Sequence, residues 1–225
     1  MSKKVQMSET ISIGTLLALS GGLMDAYSYI FRDHVFANAQ TGNIILFGVN
    51  LSQGDFQSAF KYFCPIVAFA FGIILSEVLR SFGNKYGLHW RQIGVLFEIL
   101  ILSAVAFIST DYNLLANSLT SLACGIQVQA FKKIYSNSIA TTMCIGNLRS
   151  GTENFYRFVV NGNRVHLKKA FLYYGIILCF VTGAIMGNVF IKLFEAKAIL
   201  SSSFILFIAF LLMFLEDVDP IVPYK

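Results

Sequence analysis

Two short stretches of this chain carry polar side chains of the kind that bind rather than react. Asn38-Ala39-Gln40-Thr41-Gly42-Asn43 follows Asp25-Ala26-Tyr27, and far downstream Gly125-Ile126-Gln127-Val128-Gln129-Ala130 precedes Ala140-Thr141-Thr142 and Gly146-Asn147. Asn38, Gln40, Thr41, Asn43, Gln129, Thr142 and Asn147 supply neutral donors and acceptors, while Gly42 and Gly146 let a backbone bend or approach a ligand closely. Such a set can line the path of a small polar solute or ion without the cost of a buried charge. The competing reading is structural, because small and hydroxyl residues also hold closely packed helices together.

Asp25 and Glu98 add the charge that a neutral notch lacks. Each falls inside an apolar run, where an ionisable group ordinarily faces the interior of a bundle and marks an ion or proton path. Asp25 lies about 21 Å along the first expected helix, which makes it the first candidate for cation binding or proton exchange. Glu98 is the second. Glu77, a turn from Arg80, reads instead as a helix-end pair, and Arg149 as an anchor at the cytoplasmic face. Reactive chemistry has no comparable nucleus. His34, His89 and His166 are isolated, and Cys64, Cys124, Cys144 and Cys179 are far apart. The sequence holds no phosphate-cradling loop, zinc-binding helix or nucleophile elbow. No catalytic residue, metal or cofactor is expected.

The elements that hold these residues are expected to lie in a membrane. Of 225 residues 56% are hydrophobic and 13% charged, and the mean hydropathy is +0.67; an ordinary soluble domain carries about 25% charge. That argues against a soluble enzyme. It also argues against a nucleic-acid binder, since the net charge of +5 comes from residues in the gaps between apolar runs. A helix needs about 20 apolar residues to cross a bilayer core. Six runs approach that length: Ile11 to Phe31, Phe60 to Leu79, Gln92 to Ser109, Leu114 to Phe131, Ala170 to Ile191 and Ala198 to Leu215. Val35 to Ser52 and Ile139 to Phe155, which carry most of the polar notch residues, are richer in Gly, Asn, Thr and Gln. They are expected as broken or re-entrant helices whose open backbone groups meet protein or water.

Basic residues set the orientation. With the N-terminus inside, Arg80, Lys85 and Arg91 share one cytoplasmic connector. Lys132, Lys133, Arg149, Arg157, Arg164, Lys168 and Lys169 share another, and the loop at Asp111 has none. Counting both short segments as full crossings would send Arg80, Lys85 and Arg91 outside, so six spans with both termini cytoplasmic fit better; Lys192 and Lys197 are the misfits. Lys3 and Lys4 imitate a secretory signal, but no small-residue cleavage pattern precedes Asp25, and the segment is expected to be retained.

A shift of 104 residues overlays the first three runs on the last three and one short segment on the other. Gly21/Gly125, Ala26/Ala130, Ile30/Ile134, Gly42/Gly146, Asn43/Asn147 and Asn50/Asn154 are then identical, Gln129 falls opposite Asp25, and Ile145 opposite Thr41. Residues 11–110 and 114–215 are thus expected as two repeats of one membrane domain. Three crossings per repeat would invert one against the other, a recurring plan of secondary transporters.

The Asp25-Ala26 pair, the run Phe36-Ala37-Asn38-Ala39-Gln40-Thr41-Gly42-Asn43 and the later Gly125-Ile126-Gln127 with Ala140-Thr141-Thr142 resemble the YoaK family of small bacterial membrane proteins, over nearly the whole chain. The resemblance implies a six-span integral protein and hence a bacterial inner-membrane location; it implies no substrate. The expectation is an all-α integral membrane protein of six spans plus two short polar helices, acting as a transporter or channel for a small polar solute or ion. Proton coupling through Asp25 is one form of it. The alternative is a membrane scaffold whose basic connector, Lys132 to Lys169, meets a partner or anionic headgroups; an intramembrane enzyme ranks third. Gly183 and Gly187, a turn apart, permit close contact within the protein or with a second copy, so a homo-oligomer is compatible. Tyr27, Tyr29, Tyr62, Trp90 and Tyr112 at expected helix ends read as rings at headgroup level.

Overall fold

The computed structural model describes residues 6–83, 88–135 and 137–215. Lys85, from the orientation argument, and Lys3 and Lys4, the basic pair of the signal-like start, lie outside the described residues. The described chain is mainly helical, and its strands are one two-residue antiparallel pair, Lys133–Ile134 with Asn137–Ser138. Its helices are α1 (Ile11–Phe31), α2 (Gln40–Ser52), α3 (Phe56–Phe82), α4 (Trp90–Val105), α5 (Asn113–Ala130), α6 (Cys144–Asn161), α7 (Arg164–Phe194) and α8 (Leu200–Leu212). The six apolar runs are α1, α3, α4, α5, α7 and α8, and the two polar segments hold α2 and α6.

Capping moves two boundaries outward from the apolar runs. The Asp55 carboxylate accepts the amide of Ser58 at 3.0 Å, so α3 starts at Phe56. The same hydrogen bonding holds the Asp55 carboxyl below its usual range. Asn163 accepts from the Val165 amide at 2.9 Å and starts α7 at Arg164. Phe56–Phe82 and the helical run Arg164–Leu212 are each long and apolar enough to cross a membrane.

The long helices gather their termini at two ends of the bundle. At one end Arg91, opening α4, donates to the Ala130 carbonyl at the close of α5 (3.0 Å), and to Ser8 (2.7 Å) and Glu9 (2.8 Å) ahead of α1. Glu77 of α3 joins them, pairing with Lys132 at 3.6 Å and with Arg80 at 3.7 Å. At the other end Arg32, just past α1, donates to the carbonyls of Val105 (3.2 Å) and Ile108 (2.8 Å) after α4, and to Asn113 Oδ1 (3.1 Å) opening α5. Tyr27 reaches the Ala196 carbonyl beyond α7 at 3.0 Å. Consecutive long helices therefore run antiparallel. Arg32 is fully buried, its cation held by carbonyls at the negative end of α4. Tyr27 is fully buried too, and it accepts from Arg32 Nε at 3.0 Å, which removes it from the headgroup-level set.

The most extensive contacts pair α1 with α7 and α3 with α5; α2 lies on α3, α6 on α7, α4 on α5, and α8 on α1. Exchanging α1–α4 with α5–α8 maps this set onto itself. Glycine brings backbone against backbone at both main crossings. A Cβ on Gly22 would lie 1.9 Å from the Phe180 carbonyl oxygen, and one on Gly183 2.0 Å from that of Leu19. A Cβ on Gly72 would lie 2.2 Å from the Leu122 oxygen, and one on Gly125 2.2 Å from that of Phe69. The Gly183 and Gly187 pair is thus used inside the protein, between α7 and α1. Buried polar side chains face inward, Ser20 against Ser202 at 2.5 Å among them, whereas Phe71, Ile74, Leu178, Ile185 and Phe204 are exposed, as suits an apolar surrounding.

Candidate functional site

The two polar segments enter the bundle from opposite ends and stop at the same level. After α1, Asp33 and His34 adopt φ of 66° and 58°, a left-handed pair that turns the chain back along the helix it has just left. The returning strand is tied down by successive bonds. Ala37 N–H donates to Ser28 Oγ (3.1 Å), Asn38 N–H to Asp25 Oδ1 (2.7 Å), and Asn38 Nδ2 to the Gly21 carbonyl (3.1 Å). Gly21 sits halfway along α1, and from there α2 runs outward again to meet α3.

The second segment repeats the manoeuvre from the other end. After α5 the small antiparallel pair docks near the N-terminus, with Tyr135 N–H on the Glu9 carbonyl at 2.8 Å. The chain then dips to Thr141 and Thr142. Gln127 Nε2 donates to Thr141 Oγ1 (3.2 Å) and to the Leu17 carbonyl (3.1 Å). The Thr142 methyl lies so near Gly21 that a Cβ there would be 2.7 Å away. Both tips therefore converge on one residue of α1.

An identical staple holds each tip. Asn43 Nδ2 donates to the Phe36 carbonyl at 2.7 Å, and Asn147 Nδ2 to the Ala140 carbonyl at 2.6 Å, seven residues back in both cases. Further out, Asn50 donates to the Leu46 carbonyl (2.7 Å) and Asn154 to that of Ser150 (2.8 Å). All four residue pairs correspond under the shift of 104. Asn43 does more than its counterpart, also accepting from Phe36 N–H (3.0 Å) and donating to Gln40 Oε1 (2.9 Å).

Where the tips meet, a cavity of about 860 Å³ opens. Its polar lining is Asp25, Tyr29, Asn38, Gln40, Thr41, Thr142 and Cys144, and its walls include Ile30, Ile44, Phe69, Phe180 and Ile145. Five candidates from the sequence are thus brought together: Asp25, Asn38, Gln40, Thr41 and Thr142. Asn43 and Asn147 stand behind the lining as staples. Gly42 is packed under the Phe36 ring, whereas a Cβ on Gly146 would meet nothing within 4 Å. Gln129 lies elsewhere, bonded to Glu77 at the end of the bundle. Glu98 is fully buried on α4 outside the lining, and neither of its oxygens has a hydrogen-bond partner among the described residues. The residue 104 positions further on, Ser202, is paired with Ser20.

Beside the cavity the Asp25 carboxylate takes the Asn38 amide at 2.7 Å, and Asn38 Oδ1 and the Thr142 hydroxyl are buried without a partner among the described residues. Neither Ala39 ahead of α2 nor Met143 ahead of α6 makes a side-chain capping bond. No group of three or more His, Cys, Asp or Glu side chains gathers among the described residues. The sequence reading missed Arg32, Gln127 as a tether, and the aromatic walls Phe69 and Phe180. Gln127 lay within a motif already noted; Arg32 had no signal, since it stands at a helix end like any loop arginine.

Residues 13–212 match the model of a family described as "Protein of unknown function (DUF1275)". The chain belongs to that family. It is 27% identical over 150 residues, 62% of its length, to the UPF0700 transmembrane protein YoaK of Bacillus subtilis (strain 168), and the match spans 64% of that relative. A membrane protein of the YoaK type, anticipated from the motifs, is what these matches support. No solved structure matches the chain.

Proposed function

We propose that this DUF1275 protein is a multi-pass transporter of the bacterial inner membrane, passing a small polar solute or ion between two inverted repeats of three spans each. The observation that carries it is the cavity where Asp25 and the tips of both polar segments meet. In lipid, the free backbone of a re-entrant tip is tolerated only where it is buried in protein or lines a water-filled space. Two such tips, entering from opposite ends and ending on Gly21, place their helix N-termini at the middle of the bundle, the arrangement by which broken helices form transport sites.

The exchange symmetry of the helix packing and the paired Asn43 and Asn147 staples support the inverted repeat. The end that holds the N-terminal segment also holds Arg80, Arg91, Lys132, Lys133 and the start of α7 with Arg164, Lys168 and Lys169, which supports both termini being cytoplasmic. Asp25 carries the coupling charge in a proton-coupled cycle, and Glu98 is a second, deeper acid.

Reconstitution into liposomes with an imposed proton gradient tests the reading against a broad panel of solutes. Asp25→Asn is expected to lower coupled flux at least tenfold while membrane insertion and Tm hold. A panel without any flux, or coupled flux undiminished in Asp25→Asn, would count against it. Thiol labelling of single cysteines placed at the outer ends of α2 and α6 should show them on opposite faces of the bilayer; labelling from one face would break the inversion.

A further inference from the structure

We infer that the groove between α7 and α8 binds one anionic phospholipid, its phosphate on Lys197 and one acyl chain laid along the apolar floor. The name of the leaflet, the outer one, rests on the orientation proposed above; the groove itself does not. α7 and α8 are joined by a short 3₁₀ turn, Glu195–Ile199, and both pack mainly on α1, so they part as they leave the turn. The gap between them is a cavity of about 600 Å³. Met186, Phe190 and Phe194 line it from α7 at one-turn intervals, and Leu200, Phe204 and Ile208 line it from α8. Lys197 brings a positive charge to the end where the two helices meet.

The length fits a lipid chain. Phe194 to Met186 and Leu200 to Ile208 each span about 12 Å of helix rise, most of the roughly 15 Å that one leaflet contributes to the hydrocarbon core. Phe194 and Phe204 on the rim are 55% and 64% exposed, while Ile205 on the floor is buried, so the groove opens sideways onto the bilayer. Water has almost nothing to bond to along such a wall. The charge is placed for a phosphate. Lys197 is exposed and makes no ion pair among the described residues, although Glu195 is two positions away. The turn that carries it is pinned, since Ala198 and Ile199 are fully buried, the Tyr27 hydroxyl donates to the Ala196 carbonyl at 3.0 Å, and Arg32 donates to Tyr27 in turn. Lys197 is also one of the two lysines that the bias of basic residues toward the cytoplasm does not explain. A lysine fixed at headgroup level above an apolar slot attracts an anionic lipid; a zwitterionic one brings a cation of its own beside the phosphate and gains less. A similar groove of about 450 Å³ between α1 and α7 ends at Lys168, but at the other end of the bundle, where topology alone accounts for the lysine.

The test is native mass spectrometry of the full-length protein released from detergent after titration with dioleoyl phosphatidylglycerol or dioleoyl phosphatidylcholine, two lipids with the same chains. The parent protein is expected to hold its first phosphatidylglycerol about fivefold more tightly than phosphatidylcholine. Lys197→Gln should abolish that preference, and Lys197→Arg should keep it. Lys192→Gln, on an exposed lysine outside the groove, should keep it as well. Ser201→Phe, which fills the groove and leaves the charge, should weaken both lipids; if that variant fails to fold, the contrast between Lys197→Gln and Lys192→Gln, both at exposed positions, gives the answer. Equal retention of the two lipids by the parent, a preference unchanged in Lys197→Gln, or the same loss in Lys192→Gln would overturn the proposal, the last by showing a diffuse effect of surface charge. A doubled mass that Ser201→Phe abolishes would also overturn it, by placing a second copy of the chain in the groove. Flux with no lipid preference would remove the lipid and leave the transporter reading, whereas lipid retention with no flux of any solute would do the reverse.

Discussion

The α2 tip and the α6 tip are the same device built twice and finished differently. Each is a short polar segment that enters from one end of the bundle, stops at Gly21 and leaves as a helix, and each is held by an asparagine reaching seven residues back. The α2 tip is closed: Asp25 bonds the turn leading into it, Asn43 makes three bonds in all, and Gly42 lies under Phe36. The α6 tip is open, with Ile145 in place of Thr41, one bond from Asn147, and room beside Gly146. The staple is what the two tips share, and the charge is what they do not: Asp25 bonds the turn leading into α2, whereas Gln129 is bonded to Glu77 at the end of the bundle.

The likeness is tested hardest at the crossings. Gly22→Ala and Gly125→Ala each drive a methyl into a facing carbonyl, at 1.9 and 2.2 Å, and each should cost about 3 kcal/mol or more, seen as loss of the monodisperse peak and of Tm in detergent. One fatal and one tolerated substitution would mean that the halves are not held in the same way. The staples come next. Asn43→Ala should cost about 2–4 kcal/mol, since it strands the Phe36 amide and carbonyl, against about 1–2 kcal/mol for Asn147→Ala; equal losses in thermal unfolding would erase the difference between closed and open. The Asp25 position gives a sharper contrast in function than in stability. Gln129→Ala, 104 residues on from Asp25, should leave coupled flux within about twofold of the parent protein, because Gln129 pairs with Glu77 at the bundle end. The smallest effect separates the two glycines: Gly42→Ala must displace the Phe36 ring from 2.8 Å and should lower Tm, while Gly146→Ala meets open space and gains helix propensity of about 0.5–1 kcal/mol.

How far the sequence was legible follows the range of the interactions involved. Apolar length is a local property, and all six long runs and both polar segments became helices within a few residues of their expected places; α3 and α7 began earlier because Asp55 and Asn163 cap them. The candidate site was half legible. Asp25, Asn38, Gln40, Thr41 and Thr142 announced themselves as polar residues in apolar surroundings and do line one cavity. Gln129 looked as eligible as Asp25 and is not there, since one helix position decides between the cavity and the bundle end. Asn43 and Asn147 were eligible as path residues and stand as staples, a role that depends on a carbonyl seven residues away.

From the amino acids alone came the membrane setting, the helix inventory, the family likeness and the suspicion of a repeat, because hydrophobicity and spacing act along the chain. Only the tertiary structure decided that both tips end on Gly21, that Arg32 is buried at the end of α4, and that Asn43 makes three bonds where Asn147 makes one. Those outcomes turn on which groups are left unpaired once eight helices have packed, and pairing between residues about a hundred positions apart leaves no trace in local pattern.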